Sequence, residues 1–404
     1  MIVQTQQFQK VEGGITAPRG FRAAGVHCGI KAAKPDLALL VSDTLATAAG
    51  MFTTNAVRAA PVIVCQEKIQ LGAAQAIVVN SGNANACTGA QGLADAREMA
   101  ALAAAALGIA EEFVLVASTG IIGAPLPMDS IRRGMPAAVR TLGRDGAASA
   151  QAILTTDAFA KTAAVQVDID GTAVTIGGMA KGAGMIHPQM ATTLCFLTTD
   201  AAVSPGLLRT ALRAAVDRSF NCISVDGDTS TNDTVLLLAN GAAGQPVLAD
   251  DGADFARFTT ALTDVAASLA QMVVRDGEGA SKLVTVRVQG ARSRSDAKAA
   301  AAAVMTSPLV KTAVYGAEPN WGRVLAAVGR SGAAVREDRI AVWIGGHQVV
   351  AGGTAAGDPG PAAATMRAAE YELVIDLGLG DGTFTGWMSD LNEAYVKINA
   401  GYMT

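Results

Sequence analysis

The chain has 404 residues, half of them hydrophobic but only 4% aromatic, with 44 glycines and 16% charged residues; so apolar and weakly charged a composition excludes an intrinsically disordered polymer. The net charge of -4, from 31 basic and 35 acidic residues with no basic block, argues against a nucleic-acid footprint. The longest weakly apolar run, Met99 to Ala110, is mostly alanine and falls short of the roughly 20 residues a membrane-spanning helix needs. The first ten residues lack a basic stretch followed by an apolar one, so no secretory signal is expected. Five scattered cysteines (Cys28, Cys65, Cys87, Cys195, Cys222) without CxxC spacing read as reduced thiols, not as a disulfide frame or zinc site. The expectation is a cytoplasmic protein with no metal, no cofactor and no membrane or nucleic-acid partner.

Along the chain, short apolar runs alternate with alanine-rich helical stretches. Asp36 to Ser42, Ala60 to Cys65, Ala76 to Val79 and Phe113 to Ala117 predict buried strands by length and β-branching. Gly92 to Leu107 predicts a helix with Leu93, Ala96, Ala100, Ala103 and Leu107 on one face. Val165 to Ile176 predicts a hairpin turning at Asp170-Gly171. Ser204-Pro205 opens a helix as N-cap and first residue, with Leu208, Leu212, Ala215 and Val216 inward. A longer helix from about Ala253 carries Phe255, Phe258, Leu262, Val265, Leu269 and Met272, ends near Gly277, and is followed by a strand over Lys282 to Val288. There is no fixed-period repeat and no Pro/Ser-rich linker. Both halves mix strands and helices, which points to a layered α/β or α+β body.

Familiar signatures are missing. There is no GxxxxGK[ST] and no GxSxG, and Gly378-Leu-Gly380-Asp-Gly382 lacks a third glycine and a following helix, so a glycine-rich turn is expected there. Asp226 to Asp233 is as acidic as a calcium loop but has Thr231 at its sixth position and Leu237 at its twelfth, so it reads as a polar turn. Two segments invite chemistry. One runs from Ala180 through Lys181, Gly182, Gly184 and His187 to Met190-Ala191-Thr192, into a strand over Thr192 to Leu197. Read as structure alone, it is a loop feeding a strand. Read chemically, a threonine after a small residue can attack its own preceding carbonyl, freeing an α-amino group of reference pKa about 7.7–8.0 that can act as its base. The other is Val116 to Gly123, where a buried strand ends in Ser118-Thr119-Gly120. It is either a plain strand exit or a hydroxyl and a backbone N–H aimed together at one oxyanion.

Taken with Gly29-Ile-Lys31, Asp36 to Asp43, Phe52 to Asn55, Asn80 to Gly89, Thr155-Thr156-Asp157, Val225 to Thr234, Asp276 to Gly279, Tyr315 to Arg323 and Tyr395 to Ala400, these segments resemble the glutamate N-acetyltransferase family, also called ornithine acetyltransferase, of arginine biosynthesis. The resemblance spans essentially the whole chain. It implies self-cleavage between Ala191 and Thr192, giving an α chain of residues 1–191 and a β chain of residues 192–404. Thr192 would be the nucleophile that carries the acetyl group, and Thr119 and Gly120 the oxyanion hole. Thr155, Thr156, Lys181, Thr192, Glu278, Asn399 and Thr404 would contact substrate. A lysine suits the carboxylate of an amino acid, and an acid suits its ammonium.

The resemblance further implies acetyl transfer from N2-acetyl-L-ornithine to L-glutamate, with acetyl-CoA open as a second donor. It implies a four-layer α/β/β/α sandwich with an interleaved smaller domain, and an α2β2 heterotetramer of self-cleaved chains. The chain departs from the family pattern at Met403, where arginine is common, at Gln189, at Thr193 and Cys195, and over Phe384 to Met388. Two other functions stand beside the first: an N-terminal-nucleophile aminopeptidase or amidohydrolase, and a specialised-metabolism acetyltransferase with another acceptor.

Overall fold

A computed structural model describes residues 8–187 and 193–401. Two β-sheets organise them. Strands β1 (Gln9–Lys10), β2 (Phe21–Val26), β3 (Leu37–Phe52), β4 (Ala73–Asn83), β5 (Val114–Ile121), β6 (Lys161–Ile169), β7 (Thr172–Lys181) and β8 (Leu194–Thr199) lie in the first sheet. The short β9 (Ile223–Ser224) lies in the second, and β10 (Thr234–Ala239) completes the first. Strands β11 (Leu283–Ala291), β12 (Ala341–Ile344), β13 (His347–Ala351), β14 (Thr354–Ala355), β15 (Glu370–Asp376) and β16 (Gly382–Ser389) complete the second.

The first sheet runs β1-β6-β7-β8-β10-β3-β4-β5, with β2 also paired to β3. It is built from chain on both sides of residue 192. β7 pairs antiparallel with β8 at Lys181↔Leu194, and β8 pairs parallel with β10 at Leu194↔Thr234. The end of one strand and the beginnings of two others therefore meet at one edge. Helices Ala60–Lys68, Gly89–Leu107, Met128–Arg140 and Ala147–Ala152 share one core with β2 to β5. Pro205–Val216 and Ala253–Arg275 share another with β6 to β8 and β10. The second sheet has its own core, in which Ala297, Ala300 and Ala301 of helix Arg294–Met305 lie against valines of β11. Alanines on that face let helix and sheet approach closely, which is where the alanine-rich, aromatic-poor composition is used. Its strand β9 comes from a segment that precedes β10 of the first sheet, so the smaller unit is interleaved with the larger. The mixed sheets with flanking helices are the α/β sandwich expected.

Most predicted elements form. The Asp170-Gly171 hairpin is β6–β7, with Asp170 at φ 50 and Gly171 at φ 73 as such a turn requires. The inward residues named for Pro205–Val216 are buried, although Ser204 caps by position only and its side chain makes no capping hydrogen bond. In Ala253–Arg275, Phe255, Phe258, Leu262, Val265 and Leu269 are buried and Met272 is half-buried. The strand expected over Thr192 to Leu197 is observed from Leu194 to Thr199.

Ala60 to Cys65 is a correction: it forms the first turns of helix Ala60–Lys68. Pro61 presets the helical φ at the first turn, and Gln66, Glu67 and Lys68 continue it. Ala60, Pro61, Val62, Val64 and Cys65 are all buried, which erases the polar side that a helical period needs to be visible. Packing against β5, where the Cys65 thiol donates to the Val116 carbonyl at 2.9 Å, outweighs the β-branched propensity.

Candidate active site

A cavity of about 350 Å³ opens where the ends of β5 and β7, the polar run 226–232, the turn after helix Ala253–Arg275 and the last helix, Glu393–Ala400, converge. Its size suits a small-molecule ligand. Thr119, Gly120, Thr155, Thr156, Lys181, Glu278 and Asn399 all line it. Seven residues from five separate places in the sequence are thus brought together. Ala191, Thr192 and Thr404 lie outside the described residues.

Thr119 and Gly120 are not at a simple strand exit. β5 continues to Ile121, and its parallel register with β4 slips so that Asn83 faces both Thr119 and Ile121. Such a bulge re-aims the side chains beside it. Gly120 sits at φ +134, and a Cβ there would run into the backbone of Gly82 and Asn83, so only glycine fits. Side-chain hydrogen bonds hold the bulge. Ser118 Oγ donates to Asn80 Oδ1 at 2.6 Å, and Asn232 Nδ2 donates to the carbonyls of Ala84 and Ser118 at 2.7 and 2.8 Å.

Lys181 closes β7 and is buried. Its Nζ donates to Thr155 Oγ1 at 2.8 Å and to Thr119 Oγ1 at 3.2 Å, and stands 3.9 Å from Asp157 Oδ2. The Thr119 oxygen accepts from the lysine, which leaves its own hydrogen free to donate into the cavity. Burial pulls the Lys181 pKa below the ordinary lysine value, and Asp157 is the largest opposing influence. At Asp157 burial pushes upward, but Lys181 and Lys161 together win and hold the carboxyl well below its usual range.

Facing the lysine is Glu278. Its backbone N–H donates to the Ala183 carbonyl at 2.8 Å, and its Oε2 accepts from Asn399 Nδ2 at 2.8 Å. A Cβ on Gly184 would stand 2.6 Å from the Glu278 carboxyl carbon. Gly184→Ala is therefore expected to fold, because the end of the glutamate side chain can swing away, but to displace the carboxylate. Loss of one charge-assisted hydrogen bond predicts a KM for the amino-acid substrates raised about tenfold or more at nearly unchanged melting temperature. Steady-state kinetics beside a melting curve checks this.

The polar run is more than the turn the sequence suggests. Asp226 accepts the N–H groups of Met185 and Ile186 at 2.5 and 2.8 Å and so clamps the loop that leads toward residue 192. Met185 adopts φ 60 in that clamp. Burial pushes the Asp226 carboxyl above its ordinary pKa. Asp233 is buried; its Oδ1 accepts the Thr193 N–H at 2.9 Å, and its Oδ2 has no hydrogen-bond partner among the described residues. Burial holds this carboxyl well above the usual value. Sequence reasoning passed over Asp226, Asn232 and Asp233. The signal was the length of the run: Ser230, Thr231, Asn232 and Asp233 are all buried, which a solvated turn would not need.

A family model described as the ArgJ family matches residues 22–404. The chain belongs to the ArgJ family. The match contains every cavity residue named above. Among relatives of the ArgJ family, the arginine biosynthesis bifunctional protein ArgJ of Symbiobacterium thermophilum is 54% identical over 397 residues, covering 97% of this chain and 99% of that protein. That of Geobacter sulfurreducens is 51% identical over 392 residues, covering 96% and 99%. A crystal structure of the arginine biosynthesis bifunctional protein argJ from Bacillus halodurans, 42% identical, matches with a TM-score of 0.50 over 51% of this chain and 98% of that one. In this ArgJ-family chain no helix among the described residues is long and apolar enough to cross a membrane.

Proposed function

We propose that this chain cuts itself between Ala191 and Thr192 and then transfers the acetyl group of N2-acetyl-L-ornithine to L-glutamate through an acetyl ester on Thr192. The observation that carries the reading is the cavity itself. It sets the buried ammonium of Lys181 in a wall that also carries the carboxylates of Glu278, Asp226 and Asp228, with Thr119 and Gly120 beside them. N2-acetyl-L-ornithine brings an α-carboxylate for Lys181 and a side-chain ammonium for a carboxylate, and L-glutamate brings the same α-carboxylate to Lys181. Thr193 is held by Asp233, whose neighbour Asn232 lines the cavity, so the chain that begins β8 starts out from the cavity wall.

In the first half-reaction Thr192 Oγ attacks the acetyl carbonyl, and its proton passes to the α-amino group of the same residue. Thr119 and the Gly120 N–H donate to the oxyanion, and the C–N bond breaks as the ornithine nitrogen takes the proton. In the second, the glutamate amine attacks the ester carbonyl, the bond from the acetyl carbon to Thr192 Oγ breaks, and Oγ takes up the proton that the amine gives up, through the α-amino group. Thr155, Thr156 and Lys181 receive the α-carboxylate, while Glu278, Asn399 and Thr404 take the side-chain ammonium of N-acetylornithine. Oxyanion-hole donors are worth about 10²–10³ in kcat, so Thr119→Val is expected to lower kcat by that factor with a much smaller change in KM, read from initial rates.

Relatives called bifunctional support acetyl-CoA as a second donor in this reading, which also places the enzyme in the cytoplasm as an α2β2 assembly of cut chains. The half-length chain of the Bacillus halodurans structure, matched over 98% of itself by 51% of this chain, supports the cut. Threonine at position 192 and the family membership both favour acyl transfer over the aminopeptidase alternative. The test is to supply N-acetylornithine and glutamate and follow products: ornithine and N-acetylglutamate should appear in equal amounts. Acetate without N-acetylglutamate would overturn the proposal in favour of a hydrolase.

A further inference from the structure

Lys161 is the least expected charge in the molecule. It opens β6 with its side chain wholly out of solvent, where an ammonium is tolerated only if fully compensated. Two carboxylates compensate it, Asp157 Oδ1 at 2.7 Å and Asp276 Oδ2 at 2.5 Å, and a third hydrogen bond runs to the Phe159 carbonyl at 3.3 Å. The aspartates are in turn held by backbone N–H groups. Asp157 accepts the N–H groups of Gly182 at 2.7 Å and Thr155 at 3.0 Å, and Asp276 accepts the Ala158 N–H on both oxygens, at 3.1 and 3.0 Å.

Every bond of this cluster ends on a segment that carries a cavity residue. Thr155 and Thr156 are in the loop it gathers, Gly182 follows Lys181, and Asp276 stands two residues before Glu278. None of Asp157, Lys161 and Asp276 lines the cavity itself. Apolar packing could have joined these segments without burying charge. An ion cluster instead permits one register only, because a shifted loop would leave a buried charge unpaired.

We infer that Lys161, with Asp157 and Asp276, is a positioning group for both amino-acid substrates: it fixes the spacing between the ammonium of Lys181 and the carboxylate of Glu278. The inference rests on the reading of the cavity as an amino-acid site. In the cut enzyme Asp157 and Lys161 belong to the first chain and Asp276 to the second, so the Lys161–Asp276 pair becomes a cross-chain link holding the two ends of the substrate site together. Asp157 has a second duty. The charged groups that act on Lys181 are Asp157, Lys161, Glu278, Asp233 and, from the other side, Lys31. Among these, Asp157 does most to keep the buried lysine protonated.

The test uses the self-processed enzyme and three variants, Asp276→Asn, Asp157→Asn and the charge-free triple Asp157→Asn/Lys161→Met/Asp276→Asn, each checked for self-cleavage and melting before kinetics. Asp276→Asn is expected to raise KM for N-acetylornithine and glutamate about tenfold, with kcat within about threefold, the pattern of weakened ground-state and transition-state binding alike. Asp157→Asn is expected to move the alkaline limb of kcat/KM to lower pH, since Lys181 then loses its proton more readily; Asp276→Asn should leave that limb in place. The triple variant removes the unpaired charge that could unfold a single one, and should still show the raised KM. A folded, cut triple variant with wild-type KM for both substrates overturns the inference, and so does an unmoved alkaline limb in Asp157→Asn. A wild-type enzyme that transfers no acetyl group would instead sink the reading of the cavity, so the two failures are told apart.

Discussion

On a denaturing gel the purified wild-type chain is expected to run as two bands of about 19 and 21 kDa, in proportion to the lengths of residues 1–191 and 192–404, whereas Thr192→Ala should give a single band at 40.8 kDa. The effect is large because one hydroxyl serves twice. Without Oγ there is no nucleophile to attack the Ala191 carbonyl, so no α-amino group is released, and no atom is left to carry the acetyl group. Acetyl transfer should fall to background. Thr192→Ser keeps a hydroxyl and is expected to restore cleavage at least in part, which separates loss of chemistry from loss of fold. An uncut wild-type band would contradict self-processing outright.

Lys181→Met carries the second large effect. The lysine is buried, hydrogen-bonded to Thr119 and Thr155, and partnered by Asp157. Truncating one partner of a buried, hydrogen-bonded charge pair costs about 2–5 kcal/mol, or roughly thirty-fold to several thousand-fold, and kcat/KM for both substrates should fall within that range. The pH profile adds a sign. The substrate carboxylate needs Lys181 protonated, and burial lowers its pKa, so wild-type kcat/KM falls as pH rises through that lowered value. The α-amino group of Thr192 must be unprotonated to act as base, so the acid limb belongs to it, near its reference of about 7.7–8.0. In Lys181→Met the acid limb should remain and the alkaline limb should vanish. An alkaline limb that persists in this variant would assign it to another group.

How far the site was legible depended on whether its chemistry was local. Thr119-Gly120 and Lys181 stand in segments that invite chemistry on their own, whereas Thr155, Thr156, Glu278 and Asn399 follow only from the resemblance to the family; all seven line the cavity. Gly120 even carries the reason for its identity in its backbone, since a bulge at φ +134 against Gly82 and Asn83 admits no side chain. The ion cluster was not legible. Asp157, Lys161 and Asp276 look like ordinary surface charges in sequence, and only the fold shows that they are buried against one another.

The fold follows the same division. The β6–β7 hairpin and helix Ala253–Arg275 announce themselves by turn residues and period. Ala60–Lys68 does not, because a helix buried on nearly every side of its first turns loses the pattern that distinguishes it from a strand. The polar run 226–233 failed for the converse reason. Its composition suggests a local polar turn, yet four consecutive residues are buried and hold both the bulge at Ser118 and the backbone at Thr193.

In the proposed reaction Thr192 carries the acetyl group between two amino acids. The most direct measurement is the intact mass of the second chain after N-acetylornithine is added without glutamate, and again after glutamate follows. The second chain is expected to become one acetyl group heavier, with the mass mapped to its N-terminal threonine, and to return to its original mass as N-acetylglutamate appears. A second chain that never gains the group while ornithine and N-acetylglutamate are formed, or that gains it at another residue, would contradict it.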